Sequence, residues 1–299
     1  MSGIARIERK ASHAGSWYSA SQEQLSSQLD SWISTADITP NPNVRAIIAP
    51  HAGYSYSGPA AAWAYGAIDS HQIKRVFILG PSHHVYIGGC ALSPCTIYKT
   101  PLGDLTIDTD VVASLKATGQ FETLSIQADE DEHSVEMHLP YLYKIMSKKT
   151  TPYTIVPILV GASRSSDQHN YATIFAPYLA DSTNLFIVSS DFCHWGPNFG
   201  YTYQFDPSLQ IHASIEKLDR EAMRVIETGN SKDFEAYLKR TKNTICGRNP
   251  IGVLLHALEC LENMGKKVDI KFTHYAQSSR ALTKRDNSVS YASAHVTLA

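Results

Sequence analysis

Short apolar runs alternate with amphipathic helical patterns along this chain, and the alternation restricts its fold more than any other feature. Four runs rich in β-branched and apolar residues predict buried strands: residues 45–49, 75–79, 154–160 and 185–188. Other stretches have the apolar spacing of helices with one buried face: residues 22–33, 60–68, 135–146, 171–179, 211–226 and 251–264. Such alternation is typical of βαβ units, in which the strands run parallel.

The fold predicted from this pattern is α/β: a single domain over residues 1–299, with a central, mostly parallel sheet and helices on both faces. A chain of 299 residues is long enough to bury one large core, and no break in composition divides it. Two C-terminal segments, residues 268–275 and 288–298, alternate apolar and polar residues as edge strands do. They could be antiparallel additions to the sheet.

The charge and the cysteine content of the chain indicate which binding partners and which cellular compartment to expect. The formal net charge is −2 and the Lys and Arg residues are scattered, which disfavours a nucleic-acid partner or an anionic membrane surface. The N-terminal residues are charged and no apolar run is long enough to span a bilayer, so we expect no membrane insertion. Five cysteines without a CxxC pair fit a reducing compartment. We therefore expect a cytoplasmic protein that could also enter the nucleus.

Three of the predicted strands each end at a cluster of polar, ligand-type side chains. The first ends at His51, the second at His83 and His84, and the third at Asp191 and His194. Because ligands bind outside the carboxyl ends of parallel strands, these residues are expected to converge on one pocket. The alternative for any single histidine is that it only caps a strand, but three clusters of one kind favour a functional site.

A cysteine lies just before the last predicted helix. Cys246 precedes the helical stretch 251–264, with Arg248 close by. A helix N-terminus and a guanidinium both favour negative charge, so we expect a lowered thiol pKa and a thiolate that binds metal or reacts. The alternative is a buried, inert cysteine.

The segment from His133 to His138 resembles a helical zinc motif but has the wrong spacing. Residues five apart point about 140° away from each other on a helix, so His133 and His138 cannot both chelate one ion. His133 and Glu136 share a face and could line the pocket or donate a hydrogen bond to a ligand. Five tyrosines could form pocket walls, although most aromatic residues serve packing: Tyr54, Tyr56, Tyr201, Tyr203 and Tyr275.

Several common catalytic motifs do not occur in the sequence. It contains no GxxxxGK[ST], no GxGxxG after a strand and no GxSxG. Nucleotide binding and serine-hydrolase chemistry therefore lack their usual support, and no organic cofactor is predicted.

The motifs taken together resemble those of a known family. They are APHAGY at 49–54, LGPSHH at 79–84, DEHSVEMHLP at 131–140, SSDFCHWG at 189–196, CGR at 246–248 and YAQSS at 275–279. In content and order they resemble the Memo family, from residue 11 to the C-terminal strands. The resemblance implies the fold of the class III extradiol dioxygenases, non-haem iron enzymes that open catechol rings.

The same resemblance implies roles for particular residues. His51 and His83 fall on the two histidine ligand positions, Cys246 on the third ligand position, and His194 on the acid/base position with Asp191 beside it. In the ring-cleaving enzymes the third ligand is a carboxylate. A soft thiolate in its place favours copper, a differently tuned iron, or zinc, and makes ring cleavage unexpected.

The resemblance also implies cellular roles in motility, cytoskeletal organisation and invasive growth. Two biochemical alternatives remain open for the pocket. It could be the centre of a metal-dependent redox enzyme, or the cleft of a non-enzymatic signalling or scaffold protein that binds a peptide or phosphopeptide.

Overall fold

The structure, a computed structural model, describes residues 6–299. Its strands are β1 (Glu8–Arg9), β2 (Val44–Ala49), β3 (Arg75–Pro81), β4 (Cys90–Leu92), β5 (Ile97–Tyr98), β6 (Leu105–Thr106), β7 (Phe121–Thr123), β8 (Thr154–Val160), β9 (Asn184–Ser189), β10 (His194–Trp195), β11 (Val268–Gln277) and β12 (Ser288–Leu298). Its α-helices are α1 (Gln22–Ala36), α2 (Tyr54–Tyr65), α3 (Thr109–Ala117), α4 (Ile126–Asp131), α5 (His133–Glu136), α6 (Leu139–Met146), α7 (Ser165–Ala180), α8 (Ile211–Glu227), α9 (Ser231–Thr241) and α10 (Arg248–Asn263).

The α/β class is confirmed, but the prediction of a mostly parallel sheet is wrong. Within the described residues the main sheet has the order β10-β12-β2-β9-β3-β8-β4-β7, with β11 paired to β12. Parallel pairs join β2 to β9, β9 to β3, β3 to β8 and β4 to β7, whereas β12 is antiparallel to all of its partners and β4 is antiparallel to β8. For β11 and β12 the reason is local: residues 278–287 connect them, and this connection is too short for the crossover that parallel pairing requires.

Helices cover both faces of the sheet, as predicted. On one face Phe77 of β3 packs against Phe175 and Tyr178 of α7. Three residues along the same strand, Gly80 lies so close to Ser134 of α5 that a Cβ there would be 2.5 Å from the Ser134 Oγ. Because side chains alternate along a strand, residues 77 and 80 point to opposite faces. The missing side chain of Gly80 therefore lets α5 approach the sheet.

The predicted strands, which are buried along their length, are confirmed with nearly the predicted bounds. The boundaries of two predicted helices shift, because local capping decides where they begin and end. The strand over 154–160 has the bounds predicted for it, and the other three predicted strands extend by one or two residues. The helix predicted over 60–68 instead spans Tyr54–Tyr65, after Gly53 as N-cap. The stretch 135–146 is divided into α5 and α6 by Met137 and His138.

The sheet order explains how distant sequence segments meet. Strands β2, β9 and β3 are neighbours and parallel, so their carboxyl ends lie side by side. Residues that follow them, around 51, 83 and 191, therefore share one edge of the sheet. In the described part of the chain, no helix combines the length and apolar character needed to cross a bilayer.

Candidate metal centre

Three imidazoles come together at the carboxyl edge of the parallel strands. His51 follows β2, His83 follows β3, and His133 is the first residue of α5. One ligand nitrogen from each lies within 4.8 Å of the others, a grouping that could hold a metal ion. The rings of His83 and His133 stack with centroids 4.5 Å apart, and those of His51 and His83 are 5.2 Å apart.

A hydrogen bond at Nδ1 fixes the orientation of the His51 ring. The Ser189 hydroxyl donates its one proton to the carbonyl oxygen of Ser134, at 2.8 Å. It therefore accepts the hydrogen bond that joins it to His51 Nδ1, at 2.6 Å. This arrangement places the proton of His51 on Nδ1 and leaves the Nε2 lone pair facing the pocket.

His83 is held in the same way by a buried carboxylate. Its Nδ1 lies 2.9 Å from Glu132 Oε1, and its backbone N–H donates to Glu132 Oε2 at 2.6 Å. Burial alone would raise the pKa of Glu132, but the hydrogen bonds that it accepts from His83 outweigh burial and lower the pKa to about 2. An ionised carboxylate behind a histidine is the usual partner of a metal ligand, because it orients the ring and increases its basicity.

His133 belongs to the same group of ligand nitrogens, where the sequence predicted only a pocket-lining or supporting role. Its Nδ1 is buried and has no hydrogen-bond partner in the described part of the chain. The indole of Trp17 covers the ring, with centroids 4.4 Å apart. Burial and the neighbouring His83 lower the pKa of His133 to about 3, and burial likewise holds the pKa of His51 well below its ordinary value. Both rings are therefore neutral, the form that ligates metals.

Cys246 lies at the side of this group. Its Sγ is 3.2 Å from His51 Nε2 and accepts a hydrogen bond from the backbone N–H of Asp191 at 3.1 Å. The expected lowering of the thiol pKa is wrong: burial and the Asp191 carboxylate raise the pKa of Cys246 well above its ordinary value. The charge on Arg248 does not offset this effect, because that side chain is exposed to solvent.

His194 and Asp191 complete one wall of a cavity of about 660 Å³ that the three imidazoles also line. His194 Nδ1 lies 2.9 Å from the carbonyl oxygen of Phe192 and 3.2 Å from that of Thr244, so Nδ1 carries the proton and Nε2 is free. The Asp191 carboxylate accepts hydrogen bonds from the backbone of His51 and Ala52. The carbonyls, rather than Asp191, orient His194.

Four other residues predicted for the site, Glu136, Tyr54, Tyr275 and Arg248, do not line this cavity. The Glu136 carboxylate lies behind it and binds Arg9, His13 and Tyr18. The Tyr54 hydroxyl donates to the carbonyl of Met137 in the core, and the Tyr275 hydroxyl donates to Asp219 at 2.9 Å. Arg248 lines a neighbouring cavity of about 330 Å³ with His83 and Cys246.

The mouth of the larger cavity carries three aromatic residues, of which the sequence suggested only Tyr56 as a pocket wall. Trp17, Tyr56 and Phe199 are among its lining residues and are themselves exposed. Trp17 lies in the segment SHAGSWY, which belongs to the resemblance described above. That segment could have indicated Trp17, whereas nothing in the local sequence of Phe199 distinguishes it from packing aromatics. Tyr201 and Tyr203, suggested together with Tyr56, are not among the residues that line the cavity.

The fold and the site together define an α/β protein with a histidine-rich pocket that could hold a metal ion. A family profile described as Memo-like protein matches residues 9–295. The chain belongs to the Memo family.

Relatives in distant animals match nearly the whole chain. It is 54% identical to Protein MEMO1 of Xenopus laevis over 284 residues, which cover 95% of each chain. It is 51% identical to Protein MEMO1 of Homo sapiens over 290 residues, 97% of each chain. Identity to the Protein memo-1 homolog of Caenorhabditis elegans is 46% over 298 residues, covering 98% of this chain and 83% of that relative.

Proposed function

We propose that this chain is a metal-dependent redox protein that holds a copper or iron ion on His51, His83 and one further donor. The further donor is Cys246, as the family resemblance implies, or His133. The observation that carries the proposal is the convergence of three ligand nitrogens within 4.8 Å of one another, with a thiol 3.2 Å from His51. On membership of the family alone, we also propose the cytoplasmic and nuclear setting and the roles in cell motility and invasive growth.

The residues present fit a transition metal. Neutral imidazoles suit copper, iron and zinc, and a thiolate suits copper(I), iron and zinc. The supporting hydrogen bonds of Ser189 and Glu132 leave Nε2 of both His51 and His83 free to ligate. Ionisation of Cys246 would accompany metal binding, because its raised pKa leaves the thiol protonated in the free protein.

The side chains around the ligands supply the remaining chemistry. A bound copper or iron ion would exchange single electrons with a substrate. His194 presents a free Nε2 to the cavity and can accept or return a proton there. Trp17, Tyr56 and Phe199 provide an apolar mouth that would bind an uncharged substrate and exclude water.

Metal analysis of protein purified without chelators or an affinity tag tests this proposal and identifies the third donor. We expect about one equivalent of copper or iron in the wild-type protein. Cys246→Ser and His133→Ala are compared, with His84→Ala as the matched control, because His84 lines the same cavity but lies outside the ligand group. Loss of metal in Cys246→Ser alone assigns the thiolate, and loss in His133→Ala alone assigns the third imidazole. Metal-free wild-type protein that takes up neither ion on titration would contradict the proposal.

A second candidate function is peptide binding by the same cavity. The exposed aromatic residues at its mouth favour an apolar or aromatic side chain of a peptide or signalling protein. A phosphate is less favoured, because the described lining residues include neither Lys nor Arg and the pKa values of His51 and His133 are lowered. Fluorescence anisotropy with matched tyrosine and phosphotyrosine peptides separates the cases. Tighter binding of the phosphopeptide would contradict this ranking.

A further inference from the structure

A buried carboxylate outside the pocket joins two of the segments that build it. Asp219 of α8 is fully buried, and its Oδ1 accepts hydrogen bonds from the backbone N–H of Cys193 at 3.2 Å and from Asn243 Nδ2 at 3.0 Å. Cys193 precedes His194, and Asn243 lies three residues before Cys246. One oxygen atom therefore connects the segment of the predicted proton carrier to the segment of the predicted thiolate ligand.

The same two segments also bind each other directly, next to the carboxylate. The backbone N–H of His194 donates to Thr244 Oγ1 at 2.7 Å, and that hydroxyl donates back to the His194 carbonyl at 2.9 Å. The ring of His194 is oriented by carbonyls from both segments, those of Phe192 and Thr244. Any change in the distance between the segments would therefore rotate the ring of His194 and displace Cys246 from His51.

Asp219 has no cation to compensate its charge. No Lys, Arg or His forms an ion pair with it in residues 6–299. Burial raises its pKa to about 6, against the opposing hydrogen bonds from Ser290, Asn243 and Tyr275. A buried charge without a counter-ion costs free energy, which the hydrogen bonds accepted by both carboxylate oxygens offset. These hydrogen bonds make the carboxylate a junction between the segments that carry His194 and Cys246.

We propose that Asp219 is a positioning residue for the pocket: its carboxylate holds the Cys193 and Asn243 segments together, and thereby fixes His194 and Cys246 relative to the three imidazoles. This inference builds on the proposed function, but the arrangement that it describes exists in the metal-free protein and can be measured there.

Ionisation of Asp219 should control this arrangement near neutral pH. The titratable and charged groups that face it are Cys193, Tyr201, Tyr237, Tyr275 and, on its own helix, Arg220, whose guanidinium lies over the Tyr275 ring. Burial raises the pKa of the thiol and of all three phenols, so they stay neutral between pH 5 and 7, a range in which arginine stays charged. Of this group of side chains, Asp219 alone changes charge over that range.

Amide hydrogen exchange in the full chain, free of metal, tests the proposal. In Asp219→Asn we expect exchange at the Cys193 amide to accelerate by about tenfold, since its hydrogen bond to Oδ1 loses its charge assistance. Exchange at the His194 amide should accelerate with it, because the loosened Asn243 segment carries Thr244, the acceptor of that amide. Amides of the central strand β3 are measured in the same samples as a reference for overall stability, because an amide at position 219 also loses the hydrogen bond that Oδ2 accepts from Tyr275. Wild-type protection at these amides should weaken from pH 7 to pH 5, whereas Asp219→Asn should show no such change. Asp206→Asn is the matched control, because that carboxylate is partly exposed and pairs with Lys217 of the same helix.

Cobalt(II) provides a second readout, as a spectroscopic probe of the ligand geometry. Weaker binding by about tenfold in Asp219→Asn, with an altered sulfur-to-cobalt absorption band, would support the proposal. If the wild-type protein binds no cobalt, copper or iron, the proposed function fails while the exchange experiment still decides the role of Asp219. Two results would overturn the proposal. In the first, the amides of Cys193 and His194 exchange in Asp219→Asn at the same rate as in the wild-type protein. In the second, exchange accelerates equally at these amides and in the central strand β3.

Discussion

Removal of the Glu136 carboxylate should both destabilise the protein and release the segment that covers His133. Glu136 is fully buried and binds Arg9 Nη1 at 2.6 Å, His13 Nδ1 at 2.9 Å and the Tyr18 hydroxyl at 2.7 Å. Arg9 is itself fully buried, so Glu136→Gln removes the closer of its two carboxylate partners and leaves only Asp129, whose Oδ1 lies 3.4 Å from Arg9 Nε. Breaking a buried ion pair in this way costs about 3–5 kcal/mol.

The pKa of Glu136 supports a similar magnitude. Burial alone would raise this pKa, but hydrogen bonds from His13 and the charge of Arg9 lower it from 4.5 to about 2. That difference corresponds to about 3 kcal/mol of stability. Because the pKa is depressed in the folded state, this stability is present above pH 4.5 and is lost as the pH falls toward 2. For 299 residues, a loss of 3–5 kcal/mol lowers the melting temperature by about 5–8 °C.

Thermal unfolding followed by circular dichroism at pH 7 and at pH 3 measures both effects. The destabilisation by Glu136→Gln should be large at pH 7 and smaller at pH 3. The fluorescence of Trp17 should also indicate that its indole is more exposed to solvent, because the N-terminal segment that covers His133 loosens. Asp30→Asn is the control, because Asp30 is exposed and its pair with Lys144 should contribute less than about 1 kcal/mol. A melting temperature within 1–2 °C of wild type at pH 7 would refute the reasoning.

Three further outcomes follow from the site. Gly247→Ala should lower the free energy of unfolding in urea by about 1–3 kcal/mol and weaken metal binding, because a Cβ there would collide with Ser189 and Ser190 beside Cys246. At Gly53 a Cβ would meet only ordinary contacts, so Gly53→Ala should leave the stability unchanged. Tyr54→Phe should cost about 1 kcal/mol in the same assay and leave the metal content unchanged, since its hydroxyl binds Met137 away from the cavity, and a loss of metal would contradict that placement. Iron-loaded, anaerobically prepared wild-type protein should not open catechol rings, because Cys246 replaces the carboxylate ligand of the enzymes that do so. Cys246→Glu is assayed alongside, and rapid coloured product from the wild type would disprove this expectation.

The sequence by itself determined which strands would carry the site. Apolar runs that end in His51, His83 and the segment Asp191 to His194 predicted convergence at a sheet edge, and these residues do line one cavity. This inference succeeds because burial on both faces leaves a long apolar run in the sequence, and because parallel neighbours necessarily place their carboxyl ends together. The spacing argument also held for His138, whose ring binds the Tyr65 hydroxyl away from the three imidazoles.

Tertiary structure alone decided which residues near those strand ends face the pocket. His133 reaches the ligand group because Gly80 admits α5 to the sheet and Ser134 donates to the Pro81 carbonyl, contacts between segments more than fifty residues apart. Tyr54 and Tyr275 look like pocket aromatics in the sequence, yet their hydroxyls bind Met137 and Asp219. A local sequence gives the residue type but not the direction of its side chain.

Tertiary structure also overturned two predictions. The pKa of Cys246 is raised and not lowered, and the strands at the margin of the sheet are antiparallel and not parallel. The helix terminus and Arg248 are sequence neighbours that favour a thiolate, but desolvation and the Asp191 carboxylate act through space and outweigh them. Likewise β12 pairs antiparallel with β2, although their residues are nearly 250 positions apart in the sequence. Burial and long-range pairing depend on the whole chain, so local patterns could not supply either.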